Sequence, residues 1–175
     1  MKVSFLKRLE SSVHSFDLTL GRTVRKIEDL EKRIARYRAF AADHAQLDFG
    51  DLGVELEEDD ELREAFQVGE KLVFEMPHLD VDRWLADLRR DKQQLSLLQS
   101  SAEDITPQRD AKLADLKRIV ERKVRQPGTD KLGRPNRKVL VFTAFADTAA
   151  YLYAALREWA RDELGIHIAM VSGGS

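Results

Sequence analysis

The C-terminal part of the chain has the pattern of a strand, a helix and a second strand. Residues 139–142 and 168–171 are unbroken apolar runs, and the amphipathic segment between them stops at Gly165. Parallel strands buried on both faces have such continuous apolar sequences, and a helix usually connects them. We therefore expect a parallel βαβ unit, with the helix over about residues 148–164 and a right-handed connection. Because open sheets commonly have about four to six strands, this unit predicts the truncated start of a larger α/β domain and a chain that is a piece of a longer protein.

An apolar seam of helical periodicity extends over the first part of the chain. Its members alternate at spacings of three and four residues, which is the heptad pattern of a coiled coil or a long helical arm. The seam comprises Leu6, Leu9, Val13, Phe16, Leu20, Thr23, Ile27, Leu30, Ile34 and Tyr37. The mixed, bulky residues at every second position of the seam favour packing against a different helix. We expect one helix over residues 6–42.

A second seam of the same spacing lies in residues 80–104. Asp80 is suited to cap this helix, and Asp82 lies in its first turn. The seam comprises Val81, Trp84, Leu88, Asp91, Leu95, Leu98, Ala102 and Ile105. Two helical arms joined by a connector predict a long antiparallel helical hairpin with coiled-coil-like packing. Trp84 is interpreted as a core residue of this hairpin rather than as a platform for base stacking.

Turn-forming residues divide the chain after a third predicted helix. Thr106 is interpreted as its N-cap and Pro107 as part of its first turn. Residues 127–137 contain two prolines and two glycines, which is typical of a polar loop. The predicted organisation is a helical domain at residues 1–126, a linker at 127–137 and the α/β part at 138–175. The predicted fold class is mostly α with a small α/β part.

Charge is distributed in blocks, although the net charge is only −2. Residues 1–47 carry +4 and residues 106–137 carry +6, whereas residues 48–70 carry −9. The acidic run within residues 48–61 predicts a mobile acidic loop, and a short helix is expected over residues 61–75. The basic blocks fit either contact with a polyanion or solvated helix faces.

Composition excludes several kinds of site. The chain has no cysteine, which excludes disulfides, thiolate zinc sites and cysteine nucleophiles, and which is compatible with a reducing cytoplasm. No apolar run approaches about 18 residues and no signal peptide is apparent, so we expect a cytoplasmic protein with no membrane contact. The four histidines do not have the spacing of a metal site.

The segments on either side of the predicted linker resemble a junction in a known enzyme family. An Asp-x-Lys-Leu-x-x-Leu helix at residues 110–116 is followed by an apolar strand that ends in Thr143-Ala144-Phe145. This order is similar to the start of the second RecA-like lobe in superfamily 2 helicases, especially the bacterial Swi/Snf-type ATP-dependent translocases, where such a strand carries motif IV. Residues 168–173 resemble the next conserved strand of that lobe. Residues 5–12 resemble the helix that leads out of the first lobe, so the hairpin would be an insertion between lobes.

The resemblance implies contact with the nucleic-acid backbone at the tip of the predicted sheet. Ligands of open parallel sheets bind beyond the carboxyl ends of the strands. Hydroxyls, backbone N–H groups and a helix N-terminus at this tip suit a phosphate. The candidate nucleic-acid contacts are Thr143, Phe145, Asp147, Thr148, Ser172 and Gly173. The alternative is that Asp147 caps the helix, that Thr143 satisfies a turn, and that Phe142 and Phe145 are core residues.

The sequence lacks the parts of such an enzyme that bind and hydrolyse a nucleotide. It contains no Gly-x-x-x-x-Gly-Lys-Ser/Thr loop, no apolar strand that ends in Asp-Glu and no arginine-finger motif. Because phosphoryl transfer needs all of these parts, we expect no catalytic residue, metal or cofactor in this chain. ATP and Mg²⁺ would bind elsewhere in the parent protein.

Three functions are therefore open. The resemblance favours a piece of an ATP-dependent nucleic-acid helicase or translocase, whose partner is nucleic acid, DNA rather than RNA. The alternatives are a helical-hairpin interaction module attached to an unrelated α/β domain, and a free-standing enzyme. In each case the incomplete sheet, with Val139, Val141, Ile168 and Met170 partly uncovered, predicts self-association through exposed edges.

Overall fold

The computed structural model describes residues 2–43, 67–68 and 74–173, and this part of the chain is mostly helical, as predicted. The helices are α1 (Lys2–Ser11), α2 (Val13–Asp43), α3 (Val81–Glu103), α4 (Ala111–Arg125) and α5 (Ala146–Leu164), with a 3-10 helix at Met76–His78. Two antiparallel ladders join β1 (Gln67–Val68) to β2 (Phe74–Glu75), and β3 (Gly128–Thr129) to β4 (Pro135–Asn136).

The chain forms two compact units. The first unit consists of Met1–Leu20 and Leu98–Ser175, and the second unit consists of Gly21–Leu97. The second unit is therefore continuous in sequence, whereas the first is assembled from both ends of the chain. The first unit also contains residues from both sides of the predicted linker at 127–137.

The N-terminal helix that was predicted as one piece is divided at Ser12. Ser12 Oγ accepts a hydrogen bond from the Ser15 N–H at 3.0 Å, which is the geometry of an N-cap for α2. Serine side chains compete with the helical backbone for such hydrogen bonds, so the Ser11-Ser12 pair separates α1 from α2. The seam itself is confirmed in α2, where residues at heptad spacing are buried: Leu20, Ile27 and Ile34. In α1 the seam is wrong, because Leu6 and Leu9 are exposed.

The second unit has a small core between α2, the 3-10 helix and α3. Ile34, Met76 and Leu85 are buried in contact with one another, and partly buried apolar residues surround them: Tyr37, Leu79, Val81, Trp84 and Leu88. Trp84 is thus part of the core, as predicted. Sequence periodicity did not indicate Leu85, which lies outside the seam of spacings three and four.

Beside this core, ion pairs connect α2 to α3, and an aspartate caps α3. Glu31 contacts Arg89 and Lys92, and Arg38 contacts Asp82. The predicted cap of the second seam is confirmed, because Asp80 Oδ1 accepts a hydrogen bond from the Arg83 N–H at 3.1 Å.

The helix predicted over residues 61–75 is wrong at its described positions. Gln67 and Val68 pair with Glu75 and Phe74 in an antiparallel ladder. Valine and phenylalanine favour strands, and this preference prevails over helix formation here. The acidic loop at 48–61 and the remainder of that predicted helix lie outside the described residues.

The third helix begins later than Thr106. Residues 107–109 form a turn that is closed by a hydrogen bond from the Arg109 N–H to the Thr106 carbonyl oxygen at 2.9 Å. Asp110 is the N-cap instead, since its Oδ1 accepts a hydrogen bond from the Leu113 N–H at 3.0 Å. On the apolar face of α4, Leu113, Val120 and Val124 are buried, while Ile119 is half exposed.

The predicted linker contains the β3–β4 ladder. Asp130 organises its loop, because its Oδ1 accepts hydrogen bonds from the Arg134 N–H at 2.9 Å and the Leu132 N–H at 2.8 Å. The hydrogen bond from the Arg134 backbone contributes most to lowering the pKa of the Asp130 carboxyl. Gly133 has a φ of 74°, which a side chain would disfavour.

The parallel βαβ unit is not confirmed. Its helix is present as α5 and ends at Gly165, as predicted, but residues 137–145 and 165–172 belong to no helix or strand. Two parallel strands without further neighbours exchange few hydrogen bonds and bury neither face. Accordingly Leu140 is 81% exposed, Phe142 88% and Val171 94%. The interpretation of Phe142 as a core residue is wrong for the same reason.

Candidate functional site

The start of α5 meets the junction of α1 and α2 through a group of hydroxyls. Ser11 Oγ lies 3.2 Å from Thr143 Oγ1 and 2.8 Å from Thr148 Oγ1. Ser12 Oγ lies 3.1 Å from Thr148 Oγ1. We call Ser11, Ser12, Thr143 and Thr148 the hydroxyl cluster. Short side chains at the end of α1, at the cap of α2 and in the first turn of α5 allow the three elements to approach closely.

Arg8 places a positive charge beside this cluster. Its Nη1 donates hydrogen bonds to Asp147 Oδ2 at 3.0 Å and to Ser15 Oγ at 3.3 Å. The guanidinium also lies over the Phe145 ring, 4.6 Å from the ring centroid. The side chains of the ion pair are only 22% and 25% exposed, so solvent screens the pair less than it screens a surface pair. Arg8 is therefore neutralised and fixed in position.

The sequence allowed two local roles, a helix cap for Asp147 and a turn contact for Thr143, and the structure contains only the second. Residue 145 is the N-cap of α5 and makes no side-chain cap hydrogen bond, so Asp147 does not cap this helix. Asp147 lies in the first turn, where a negative charge is favourable near the helix dipole. Thr143 does satisfy a turn, because its Oγ1 accepts a hydrogen bond from the Phe145 N–H at 3.3 Å.

A second polar contact joins α4 to α5. The Tyr151 hydroxyl donates a hydrogen bond to Asp110 Oδ2 at 2.8 Å, while the other carboxylate oxygen of Asp110 caps α4. The Tyr151 ring stacks on His14 with a centroid distance of 5.0 Å. Burial, followed by the Asp110 carboxylate, raises the pKa of the Tyr151 hydroxyl well above its ordinary value of 10.

An open cleft of 630 Å³ lies over these contacts. The hydroxyl cluster forms part of its wall. Lys7 and Lys112 bring positive charge to it, and Glu10 and Asp110 bring negative charge. Its apolar wall consists of Leu113, Leu116, Val141, Phe142, Phe145 and Leu152, among others. Hydroxyls, lysines and the N-terminal end of a helix can together donate hydrogen bonds to phosphate oxygens. Within the described ranges, no group of three or more carboxylate or imidazole side chains could hold a metal ion.

The structure brings four of the six candidate residues together. Thr143, Phe145, Asp147 and Thr148 all contact the α1–α2 junction. Ser172 and Gly173 are exposed and do not line the cleft.

Sequence reasoning missed the partners of these residues, which are Arg8, Ser11 and Ser12. The closest signal was the resemblance of residues 5–12 to a helix that leads out of a first lobe. The contacts themselves span 132 to 139 residues, and a single sequence contains no local pattern that shows contacts of this separation.

Comparison with known proteins finds no relative. No protein-family model, curated protein or solved structure matches the chain. None of the described helices combines the length and the apolar character that a membrane crossing needs. A functional assignment therefore depends on the chain's own residues and their contacts.

Proposed function

We propose that this chain is the inter-lobe helical region and the beginning of the second RecA-like lobe of an ATP-dependent nucleic-acid translocase of the Swi/Snf-like type. One observation carries the proposal. The segment that resembles motif IV, with Thr143, Phe145 and Thr148, contacts the α1 segment that resembles the exit from a first lobe. The two segments that flank the helical insertion in such enzymes would then lie in contact with each other.

In this proposal the 630 Å³ cleft is a contact site for the nucleic-acid backbone. Arg8 is held by Asp147 and acts mainly as a positioning group. Lys7, Lys112 and the partly exposed hydroxyls of Ser11 and Thr143 would contact phosphate oxygens, whereas the buried Ser12 and Thr148 hold the elements together. Such contacts do not depend on base sequence, and they weaken as salt is added because counterions are released.

The finer fold is part of the same proposal. Along α2 and α3 the ion pairs connect residue 31 with residues 89 and 92, and residue 38 with residue 82. This opposite order supports an antiparallel hairpin of α2 and α3, which is the part of the predicted 6–42 and 80–104 hairpin that begins after the break at Ser12. Residues 139–142 and 168–171 would become parallel strands when further strands of the lobe cover them. The domain limits 1–126, 127–137 and 138–175 and a cytoplasmic location follow from the same assignment.

The test is ATP hydrolysis by the longer protein that includes an upstream phosphate-binding lobe, measured with and without DNA and RNA. We expect hydrolysis that nucleic acid stimulates, DNA more strongly than RNA. Thr143→Val should reduce the stimulation, whereas Thr106→Val, on an exposed turn, should not. The present chain alone should hydrolyse no ATP. Hydrolysis by this chain, or a longer protein whose ATPase ignores both nucleic acids, would refute the proposal.

The second candidate is a helical-hairpin module that binds another protein. It is favoured by the exposure of seam residues in and just beyond the C-terminal part of α3, where Leu98 is 51% and Ile105 39% exposed. If this candidate were correct, Leu98→Ser would abolish capture of a protein partner and leave nucleic-acid stimulation of any ATPase unchanged.

A further inference from the structure

Three cations meet at a second cleft in the first unit. The cleft has a volume of 430 Å³ and lies at the end of α4. Its lining comprises Ile119, Arg122, Lys123, Gln126, Lys138 and Val139. Three of these six residues are basic and none is acidic. We call this feature the cationic cleft.

The basic residues of the cleft differ in their ion pairing from Arg118 and Arg125, the other arginines of α4. Arg118 is paired with Asp115 at 2.8 Å, and Arg125 is paired with Glu121 at 2.9 Å. In the part of the chain that the structure describes, Arg122, Lys123 and Lys138 form no ion pair. Their charges are therefore not neutralised by a described carboxylate.

The local fold explains why these residues converge. The β3–β4 ladder reverses the chain after α4, so that Lys138 and Val139 return to the last turn of that helix. Lys123 lies near the start of β3, since a Cβ built on Gly128 would be 3.5 Å from its Nζ. Basic residues in a last turn also complement the helix dipole. That explains Arg122 and Lys123, but not Lys138, which another segment contributes.

We propose that the cationic cleft binds phosphate groups of a nucleic-acid backbone, independently of base sequence. The identity of the polyanion rests on the proposed function, whereas the location rests on the geometry of the cleft. Arg122 can bind a phosphate through two parallel N–H groups, and the two lysines act as point charges beside it. Gln126 provides a further amide donor at the rim.

The experiment measures binding of fluorescein-labelled duplex DNA to the full chain by anisotropy over a series of salt concentrations. The site variants are Arg122→Gln, Lys138→Gln and their combination. Both side chains are exposed, so the fold should be retained. Each single variant should weaken binding several-fold and reduce the slope of log K against log salt concentration by about 0.9, with roughly twice that change in the double variant. Arg122→Lys keeps the charge but cannot make the two parallel contacts, so it should leave the salt slope unchanged and weaken binding less than Arg122→Gln.

The matched control is Arg118→Gln, which removes one charge from the same helix but from an existing ion pair. It should change affinity and slope little. Equal losses in the control and site variants would mean a general charge effect and would overturn the assignment of the cleft. Absence of DNA binding, or site-dependent binding of inorganic polyphosphate without binding of DNA, would overturn it as well. None of these outcomes depends on ATP hydrolysis, so they are separate from failure of the proposed translocase function.

Discussion

At the scale of single residues, the contact between α5 and the α1–α2 junction depends on small hydroxyl side chains. Thr148 is only 3% exposed, and its hydroxyl is shared by Ser11 and Ser12. A buried hydroxyl is costly unless it is hydrogen-bonded. The members of the cluster therefore help to satisfy one another, and the loss of the Thr148 hydroxyl removes one hydrogen-bond partner from both Ser11 and Ser12.

Thr148→Val tests this dependence, because valine retains the shape and removes the hydroxyl. We expect a loss of about 1–3 kcal/mol in the unfolding free energy, since Ser11 and Ser12 lose a buried partner. The measurement is urea unfolding followed by Trp159, the tryptophan of the first unit, in a Trp84→Phe background. Thr106→Val is the control, and the prediction fails if both substitutions have the same effect.

Tyr151 should make the stability of the first unit fall at high pH. Its pKa is raised in the folded state by burial and by Asp110, so the folded protein holds the proton more tightly than the unfolded chain. The stabilisation is complete below the ordinary pKa of 10 and is lost as the pH rises above it. Tyr151→Phe should therefore flatten the alkaline fall in stability, measured by urea unfolding at a series of pH values. Tyr153→Phe on the same helix should not.

At the scale of elements, short polar side chains and one glycine define the helix ends. Ser12, Asp80 and Asp110 each accept a hydrogen bond from a backbone N–H in the first turn of α2, α3 and α4. The end of α5 depends on Gly165, whose φ is 63° and whose N–H donates to the Arg161 carbonyl oxygen at 3.2 Å. This left-handed residue closes the helix in the way that glycine does at many helix ends.

Gly165→Ala should destabilise the chain by roughly 1–2 kcal/mol, because a Cβ in the left-handed region meets the backbone. Gly173→Ala is the matched control, since a Cβ there has open space and no positive φ is involved. Thermal unfolding followed by circular dichroism at 222 nm is the measurement. A fall in melting temperature that is equal in the two variants would contradict the assignment of Gly165 as the helix stop.

The sequence predicted those features of the helices that depend on residues close to one another in the chain. The heptad spacing of Leu20, Ile27 and Ile34 and the cap at Asp80 were correct, because periodicity and capping are properties of a few neighbouring residues. The third cap is Asp110 and not the predicted Thr106, because both side chains suit a cap and local signals do not distinguish the two positions. The strands at 139–142 and 168–171 depend on neighbours that no local pattern supplies. The partners of Thr143 and Thr148 were missed because they lie more than a hundred residues away.

At the scale of the whole molecule, the uncovered apolar segments are the feature with the largest consequence for solution behaviour. Leu140, Phe142 and Val171 are more than four-fifths exposed. Exposed apolar surface and unpaired backbone both favour association. In solution, a second copy of the chain would cover these apolar segments unless other segments or a partner protein cover them.

Self-association should therefore increase with concentration in the micromolar range. Sedimentation velocity should show a rising average mass, and Phe142→Ser should reduce it by removing exposed apolar surface. Leu132→Ser is the control, because Leu132 is also strongly exposed, at 73%, but lies in the loop of the β3–β4 ladder. A monomer at all concentrations, or equal effects of the two substitutions, would exclude association through residues 139–142.

The division into a continuous second unit and a first unit made from both chain ends predicts that the second unit folds first. The Arg8–Asp147 contact spans 139 residues, whereas the Arg38–Asp82 contact spans 44. Closing the longer loop costs about 1 kcal/mol more in chain entropy, and contacts of high sequence separation slow folding. Once Gly21–Leu97 has folded, the disordered length that remains to be closed is much shorter. During synthesis, α1 must therefore wait without its partners until α5 has left the ribosome.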